Sequence, residues 1–252
     1  MSEFISPMGK SYVQGINKAR AIRQQGASTI ALVGTSTDPQ LEAVWRKPHA
    51  FVEALREASV DIVFGPAFSV YLGRLPLERH ANRSRNIHLY SSVCEADIQV
   101  VPAAGFVDAF DADFVGKWVA AYGLKSLFVD LQSADTPAQW NLVRETLPAL
   151  VASGTTLNRI VINGVAKPTR VIELAHLTDP LDLVLTNGAA FQLARSGHDY
   201  SKRGEDFTKQ KSEADRARLF TNLAGFYGDV AARRSESYIP LSLQPALPLA
   251  SR

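Results

Sequence analysis

Cysteine is almost absent: of 252 residues only Cys94 carries a thiol. No disulfide can form within the chain, and no cysteine-based zinc site can be built. A reducing, cytoplasmic setting is the expectation. Long apolar runs are lacking too. No stretch approaches the ~20 residues that cross a bilayer. Met1 to Gly15 holds no apolar segment of the kind found in signal peptides. No membrane partner is therefore expected. Nor is either charge in large excess. The 27 Lys and Arg against 25 Asp and Glu leave a net charge of +2, too mild to argue nucleic-acid binding from charge alone. The strong catalytic signatures are also missing. There is no Walker sequence, no Gly-x-Gly-x-x-Gly after the first strand, no Gly-x-Ser-x-Gly elbow and no His-Glu-x-x-His. The five histidines (His49, His80, His88, His176, His198) do not pair at metal-ligand spacing. No metal and no cofactor is expected.

What is present is a paired design. Asp61-Ile62-Val63-Phe64-Gly65-Pro66-Ala67-Phe68-Ser69 leads to Arg74, and Asp182-Leu183-Val184-Leu185-Thr186-Asn187-Gly188-Ala189-Ala190-Phe191-Gln192 leads to Arg195. Each reads as a short strand running into turn-prone residues, then Phe, a polar side chain and an Arg. Active sites of α/β proteins are assembled from such loops at the carboxyl ends of parallel strands.

Strand-length apolar runs alternate with helical patterns along the chain. Strands are predicted at Ile30–Gly34, Asp61–Gly65, Ile98–Pro102, Leu127–Leu131, Arg159–Asn163 and Leu183–Leu185. Helices are predicted at Lys47–Ala58 and at Leu77–Ala96, the latter with Ile87, Tyr90 and Cys94 on one side. Further helices are marked by Phe110, Phe114, Trp118 and Tyr122, and by the Thr136-Pro137 start that runs to Gly154. A short one follows Pro168, and a last one carries Leu219, Phe220, Leu223 and Phe226. Strict alternation implies an α/β fold with parallel strands: a TIM-like or partial (β/α) barrel, or alternatively an open doubly wound sheet. A full barrel needs two more strands, sought near Tyr12–Ile16 and Ser237–Leu243. Residues 1–234 are read as a single barrel-like domain. Residues 235–252, with Pro240, Pro245 and Pro248, are read as an extended proline-rich strap.

Several residues are candidates for chemistry. Asp130 and Gln132 end the fourth strand, where a carboxylate can act as base, nucleophile or anchor. Asn163 and Asn187 end two others, and neutral amides suit recognition of a polar ligand. His198, after the second paired motif, is the best acid–base candidate among the histidines. Arg79, Arg83 and Asn86 form one helical stripe with Arg85 beside it, which could grip a phosphate but is more often a solvated face. Gly34 to Asp38 reads as a helix cap or turn rather than a phosphate loop. Asp108, Asp111 and Asp113 lack the glycine and distal Glu of a calcium loop and read as charge at a helix N-terminus.

Gly65-Pro66-Ala67-Phe68-Ser69-Val70-Tyr71 resembles the signature of an uncharacterised bacterial and phage family, a domain of unknown function with Gly-Pro-(Asp/Asn)-Phe-Ser-x-Tyr at a strand end. Pro76, Asn82-Arg83-Ser84-Arg85 and Val100-Val101-Pro102 follow in the family's order. Asp130-Leu131-Gln132 and Asn187 to Phe191 are similar to later strand ends. The likeness runs over roughly the stretch from Trp45 to Tyr200 and implies a barrel-like fold with a polar mouth but no established reaction. Ala67 stands where the family has Asp or Asn, and Thr186 where one branch has an acid. If those acids carry the family's chemistry, this chain binds without turning over.

Two functions from different classes fit. One is an enzyme or degenerate enzyme that takes a polar, anionic or nucleotide-like ligand at the strand mouth. Asp130 and His198 would be its reactive groups, with Ser69, Tyr71, Arg83, Arg85, Gln132, Asn163, Asn187 and Gln192 binding the ligand. Metal-independent glycosyl transfer or hydrolysis suits that inventory, although such chemistry normally needs two carboxylates and only one is convincing. The other is a non-catalytic component of a phage or mobile element that binds nucleic acid or protein. Self-association is a third expectation, from the apolar tail and the aromatics Trp45, Tyr200, Phe207 and Tyr227.

Overall fold

A computed structural model describes residues 10–24, 26, 28–34, 36, 38–70, 75–165, 167–186, 198–203, 206–211 and 216–237. The elements in chain order are α1 (Lys10–Gln24), β1 (Ala31–Val33), α2 (Asp38–Arg46), α3 (Pro48–Glu57), β2 (Ile62–Phe64), α4 (Pro76–Cys94), β3 (Gln99–Val101), β4 (Ala103–Ala104), α5 (Ala109–Ala121), β5 (Ser126–Asp130), α6 (Pro137–Ser153), β6 (Arg159–Asn163), α7 (Pro168–Leu177), β7 (Asp182–Thr186), β8 (His198–Arg203), β9 (Asp206–Lys211) and α8 (Arg216–Ser237). The protein is α/β, and its helices alternate with parallel strands. All six expected strands lie where the apolar runs put them.

The chain divides into two compact units, Met1–Val115 with Ser126–Phe128, and Gly116–Lys125 with Val129–Arg252. In the first unit β1, β2 and β3 pair in parallel, with Ala31 beside Ile62 and Ile62 beside Gln99. Its core gathers Ile16, Leu41, Val44, Phe51, Leu55, Val63, Phe68, Leu89 and Val93. In the second unit β6 and β7 run parallel from Arg159 beside Asp182 to Asn163 beside Thr186. The Leu131 N–H donates to the Asn163 carbonyl and sets the end of β5 against β6. α8 buries Phe226 and Val230 and packs on α7.

Local sequence explains the helix starts and faces. Thr136 and Gln139 form a reciprocal capping box, Pro137 takes the first turn, and α6 buries Trp140, Val143, Leu147 and Leu150. α5 departs from the aromatic pattern that marked it. Its inward residues are Ala112, Val115 and Val119, while Phe110 is 80% and Tyr122 70% exposed. Close approach is the reason. A Cβ on Gly116 would lie 2.8 Å from the Leu150 carbonyl oxygen, so a larger residue has no room at that point against α6. α4 is also rotated from the expected face. Ile87 and Cys94 are exposed, and Asn86, Leu89, Tyr90 and Val93 are buried.

Three differences from the sequence reading concern whole elements. Tyr12–Ile16 belongs to α1 and is not a strand; Ile16 and Ala19, one helical turn apart, are both buried. α2 was not expected as an element, although its start at Asp38 agrees with the reading of Gly34 to Asp38 as a helix cap or turn. β8 and β9 form an antiparallel hairpin, His198 opposite Lys211 and Arg203 opposite Asp206. That hairpin is almost wholly polar in sequence, and strand patterns are read from an apolar face. The expected strand at Ser237–Leu243 and the tail beyond it lie outside the described residues, save that Ser237 ends α8.

Candidate functional site

In the first unit, the loop after β2 is clamped from two helices. The buried Asn86 side chain accepts the Phe68 N–H at 2.6 Å and donates to the Phe68 carbonyl at 3.3 Å. Asn82 donates to the Ser69 carbonyl at 2.9 Å, and Asp38 accepts the Ser69 N–H at 3.0 Å. Asn82 and Asn86 therefore hold the Gly-Pro-Ala-Phe-Ser segment rather than facing a ligand. Arg85 is committed as well. Its guanidinium lies over the Phe68 ring at 3.9 Å and the Trp45 ring at 5.1 Å, and it pairs with Glu42. Trp45, expected to be exposed, is half-buried and meets the His88 ring edge-on.

Arg83 ends the same way. Asp111 is buried, and it accepts from Arg83 at 2.8 Å and from Arg79 at 2.9 Å, with Asp108 3.7 Å from Arg79. Arg83 also sits 5.5 Å from the centroid of the Phe114 ring. Asp108 accepts the Asp111 N–H at 2.7 Å, an N-terminal cap on α5. The basic stripe and the acidic cluster, read as separate features, are one ion-pair network. Among the described residues, Arg79, Arg83 and Arg85 are not a free cationic face.

In the second unit, parallel pairing brings three strand ends to one edge. Asp130, Asn163 and Thr186 end β5, β6 and β7. The Asn163 amide donates to Asp130 Oδ1 at 3.1 Å, and the Gln132 N–H donates to the same oxygen at 3.1 Å. The Thr186 hydroxyl donates to Asn163 Oδ1 at 2.8 Å. The next residue, Gly164, has φ +88, and a Cβ there would meet Gln132 Cα at 2.6 Å. Glycine is thus required for the loops after β5 and β6 to close up behind the carboxyl. The β5–α6 loop is fixed from α7. Arg170 donates to the Ala134 carbonyl at 2.8 Å and the Asp135 carbonyl at 3.0 Å, and lies over the Trp140 ring.

Asp130 reaches solvent, yet the surrounding protein withdraws enough water to push its carboxyl above the ordinary aspartate value. The hydrogen bonds from Gln132 and Asn163 pull the other way and do not cancel the rise. Its sign has a consequence for stability. A carboxyl raised on folding binds its proton more tightly in the folded state. Its cost is absent below the ordinary pKa, sets in as pH rises through that value and is complete above the folded one. Asp130→Asn is therefore expected to stabilise the fold at pH 7, with the gain vanishing near pH 3. Urea melts at both pH values would check this, and equal stabilisation at both would contradict it.

Thr186 was not among the sequence candidates, although it ends the second paired strand; the adjacent Asn187 was chosen for its amide. Asn187, Gln192 and Tyr71 lie outside the described residues. His198 lies on β8, and its side chain is outside them too. Ser69 contributes backbone bonds to its loop's clamp. Among the described residues, no group of three or more His, Cys, Asp or Glu is placed to hold a metal ion. None of the described helices is long and apolar enough to cross a membrane.

No protein-family model matches the chain, and no curated protein matches its sequence. Among solved structures, phosphoribosyl anthranilate isomerase from Thermotoga maritima is similar at 14% identity and a TM-score of 0.45, over 84% of this chain and 80% of that one. Inosine 5'-monophosphate dehydrogenase from Legionella pneumophila is similar at 10% identity and a TM-score of 0.43, over 88% and 71%. Likenesses this distant say nothing about chemistry, which rests on the residues themselves.

Proposed function

We propose that the chain binds a small polar ligand at the carboxyl edge of β5, β6 and β7 and exchanges a proton with it through Asp130. One observation carries this reading: Asp130 Oδ1 is held by two donors while its carboxyl is raised above the ordinary value. A fixed carboxyl with raised affinity for a proton suits general acid–base work at a strand end. Asn163, Thr186 and Gln132 surround it with neutral polar groups, so the ligand group it favours is a hydrogen-bond donor, a hydroxyl or an amine. The anionic or nucleotide-like ligand expected from the arginines loses that support, because Arg83 and Arg85 are paired with Asp111 and Glu42. Nucleic-acid binding through the same stripe loses it for the same reason.

Glycosyl transfer or hydrolysis stays within this proposal only with a second carboxylate beside Asp130. The family resemblance belongs to the proposal as well, since Asp130-Leu131-Gln132 is one of the strand ends that carry it.

The test is a thermal-shift screen of sugars, polyols, amines, nucleosides and sugar phosphates, repeated on Asp130→Asn. Hydroxyl- or amine-bearing compounds are expected to stabilise the wild type, and the variant should bind them at least about tenfold more weakly. Equal binding by both proteins would remove Asp130 from the site.

A further inference from the structure

The three strand-end side chains form a line with a direction. An ionised carboxylate only accepts hydrogen bonds, so the Asn163 amide must turn its Nδ2 toward Asp130 Oδ1, which it does at 3.1 Å. Asn163 Oδ1 then points the other way, toward β7. Thr186 has one hydroxyl hydrogen and two acceptors in view, Asn163 Oδ1 at 2.8 Å and the Ile162 carbonyl at 3.5 Å. The shorter contact takes it. Hydrogen bonds thus run in one sense, from Thr186 to Asn163 to Asp130, and a flipped amide would set oxygen against oxygen at the carboxylate.

On the reading of Asp130 as the acid–base group, we infer that Thr186 is a positioning residue. Acting through Asn163, it holds Asp130 Oδ1 as a pure acceptor and leaves Oδ2 as the oxygen that takes up or gives the proton. Oδ1 already accepts from Asn163 and from the Gln132 N–H, so a proton placed there would break one of those bonds. Placed on Oδ2 it breaks neither. The proton then passes between Oδ2 and the donor group of the ligand, and neither Asn163 nor Thr186 gains or loses one. The described strand-end groups facing the carboxyl are neutral: the Gln132 N–H on its own loop, the Asn163 amide on β6 and, behind it, the Thr186 hydroxyl on β7. A change at Thr186 therefore reaches Asp130 through the orientation of one amide rather than through a change of charge.

Parallel pairing builds this line. Asn163 and Thr186 are register partners on β6 and β7, and Asp130 precedes the residue whose N–H bonds the Asn163 carbonyl. One residue of slip in either strand would send the side chain to the opposite face.

The experiment follows the Asp130 carboxyl by carbon-13 NMR across pH, with no ligand added. Thr186→Val keeps the shape and removes the hydroxyl. It should free Asn163 to turn and move the Asp130 midpoint up by about half a pH unit, the size of one weakened bond to a charged group. Thr186→Ser should titrate as the wild type. An unchanged midpoint in a folded Thr186→Val would overturn the inference. The wild type gives a second readout that needs no variant. The resonance of the Asn163 side-chain nitrogen should shift with the Asp130 midpoint, and an Asn163 signal flat across that range would overturn the inference equally. These readouts are separate from ligand binding. A shifted midpoint together with a failed ligand screen would leave the relay standing and sink the binding proposal. Ligand binding that depends on Asp130, with unmoved midpoints, would do the reverse.

Discussion

Asp111→Ala should cost about 3 kcal/mol of folding stability, because it strips the shared partner from two largely buried arginines. Asp111 is 7% exposed at its side chain, and Arg79 and Arg83 are 19% and 16%. Water therefore cannot replace the lost carboxylate freely. Removing one member of a buried pair is more damaging than removing both, since the survivor keeps its desolvation cost. Here two cations survive, close together on α4, and repel each other as well. Asp108, 3.7 Å from Arg79, offers partial relief to one of them, so the lower end of the usual range is expected. Urea unfolding would show a midpoint well below the wild type with an unchanged slope. Asp111→Ala together with Arg83→Ala should recover part of the loss. A wild-type midpoint for the single variant would mean that the arginines find other partners.

That network also shows how far the sequence could be read. Each half was legible: the Arg79, Arg83 stripe from helical spacing, and the acids from their place before the Phe114 helix. Their pairing was not, because it depends on how α4 turns about its axis. Asn86 decides that turn by facing inward to clamp the Phe68 backbone, and nothing in an apolar pattern announces a buried amide. The same rotation exposes Ile87 and Cys94. Strands read well because β2, β5 and β6 are short apolar runs bounded by turn residues. α5 read well as a helix and poorly as a face. Its rings make the conspicuous period, while its buried face is made of Ala112, Val115 and Val119. At the site, Asp130 and Asn163 were legible as strand ends. Thr186 was passed over because a threonine inside a Leu-Val-Leu-Thr run looks like one more β-branched strand residue; only the register with Asn163 gives its hydroxyl a task.

Gly164→Ala should be at least comparable in damage to Asp111→Ala, at about 2–6 kcal/mol, and it should strike the site directly. Two costs add. Gly164 has φ +88, a region that strains any residue with a Cβ by about 1–3 kcal/mol. The new Cβ would also meet Gln132 Cα at 2.6 Å, and overpacking against backbone costs about 1–3 kcal/mol. The only relief is for the Gln132 loop to retreat. That retreat draws the Gln132 N–H away from Asp130 Oδ1, which it now contacts at 3.1 Å. One of the two bonds that hold the carboxyl below its fully desolvated value would weaken, so the Asp130 midpoint should rise. Calorimetric melting and the carbon-13 titration, made on one sample, would check both halves. A lower melting temperature with an unmoved Asp130 midpoint would separate the strain from the site. An unchanged melting temperature would contradict the close approach itself.

A crystal structure of the chain with a compound from the thermal-shift screen bears most directly on Asp130 as the reactive group. The expected map shows a hydroxyl or amine of the compound within about 3 Å of Asp130 Oδ2, with Asn163 and Thr186 in their present hydrogen-bonded order behind it. A compound bound elsewhere, with Asp130 Oδ2 facing only water, would contradict that role.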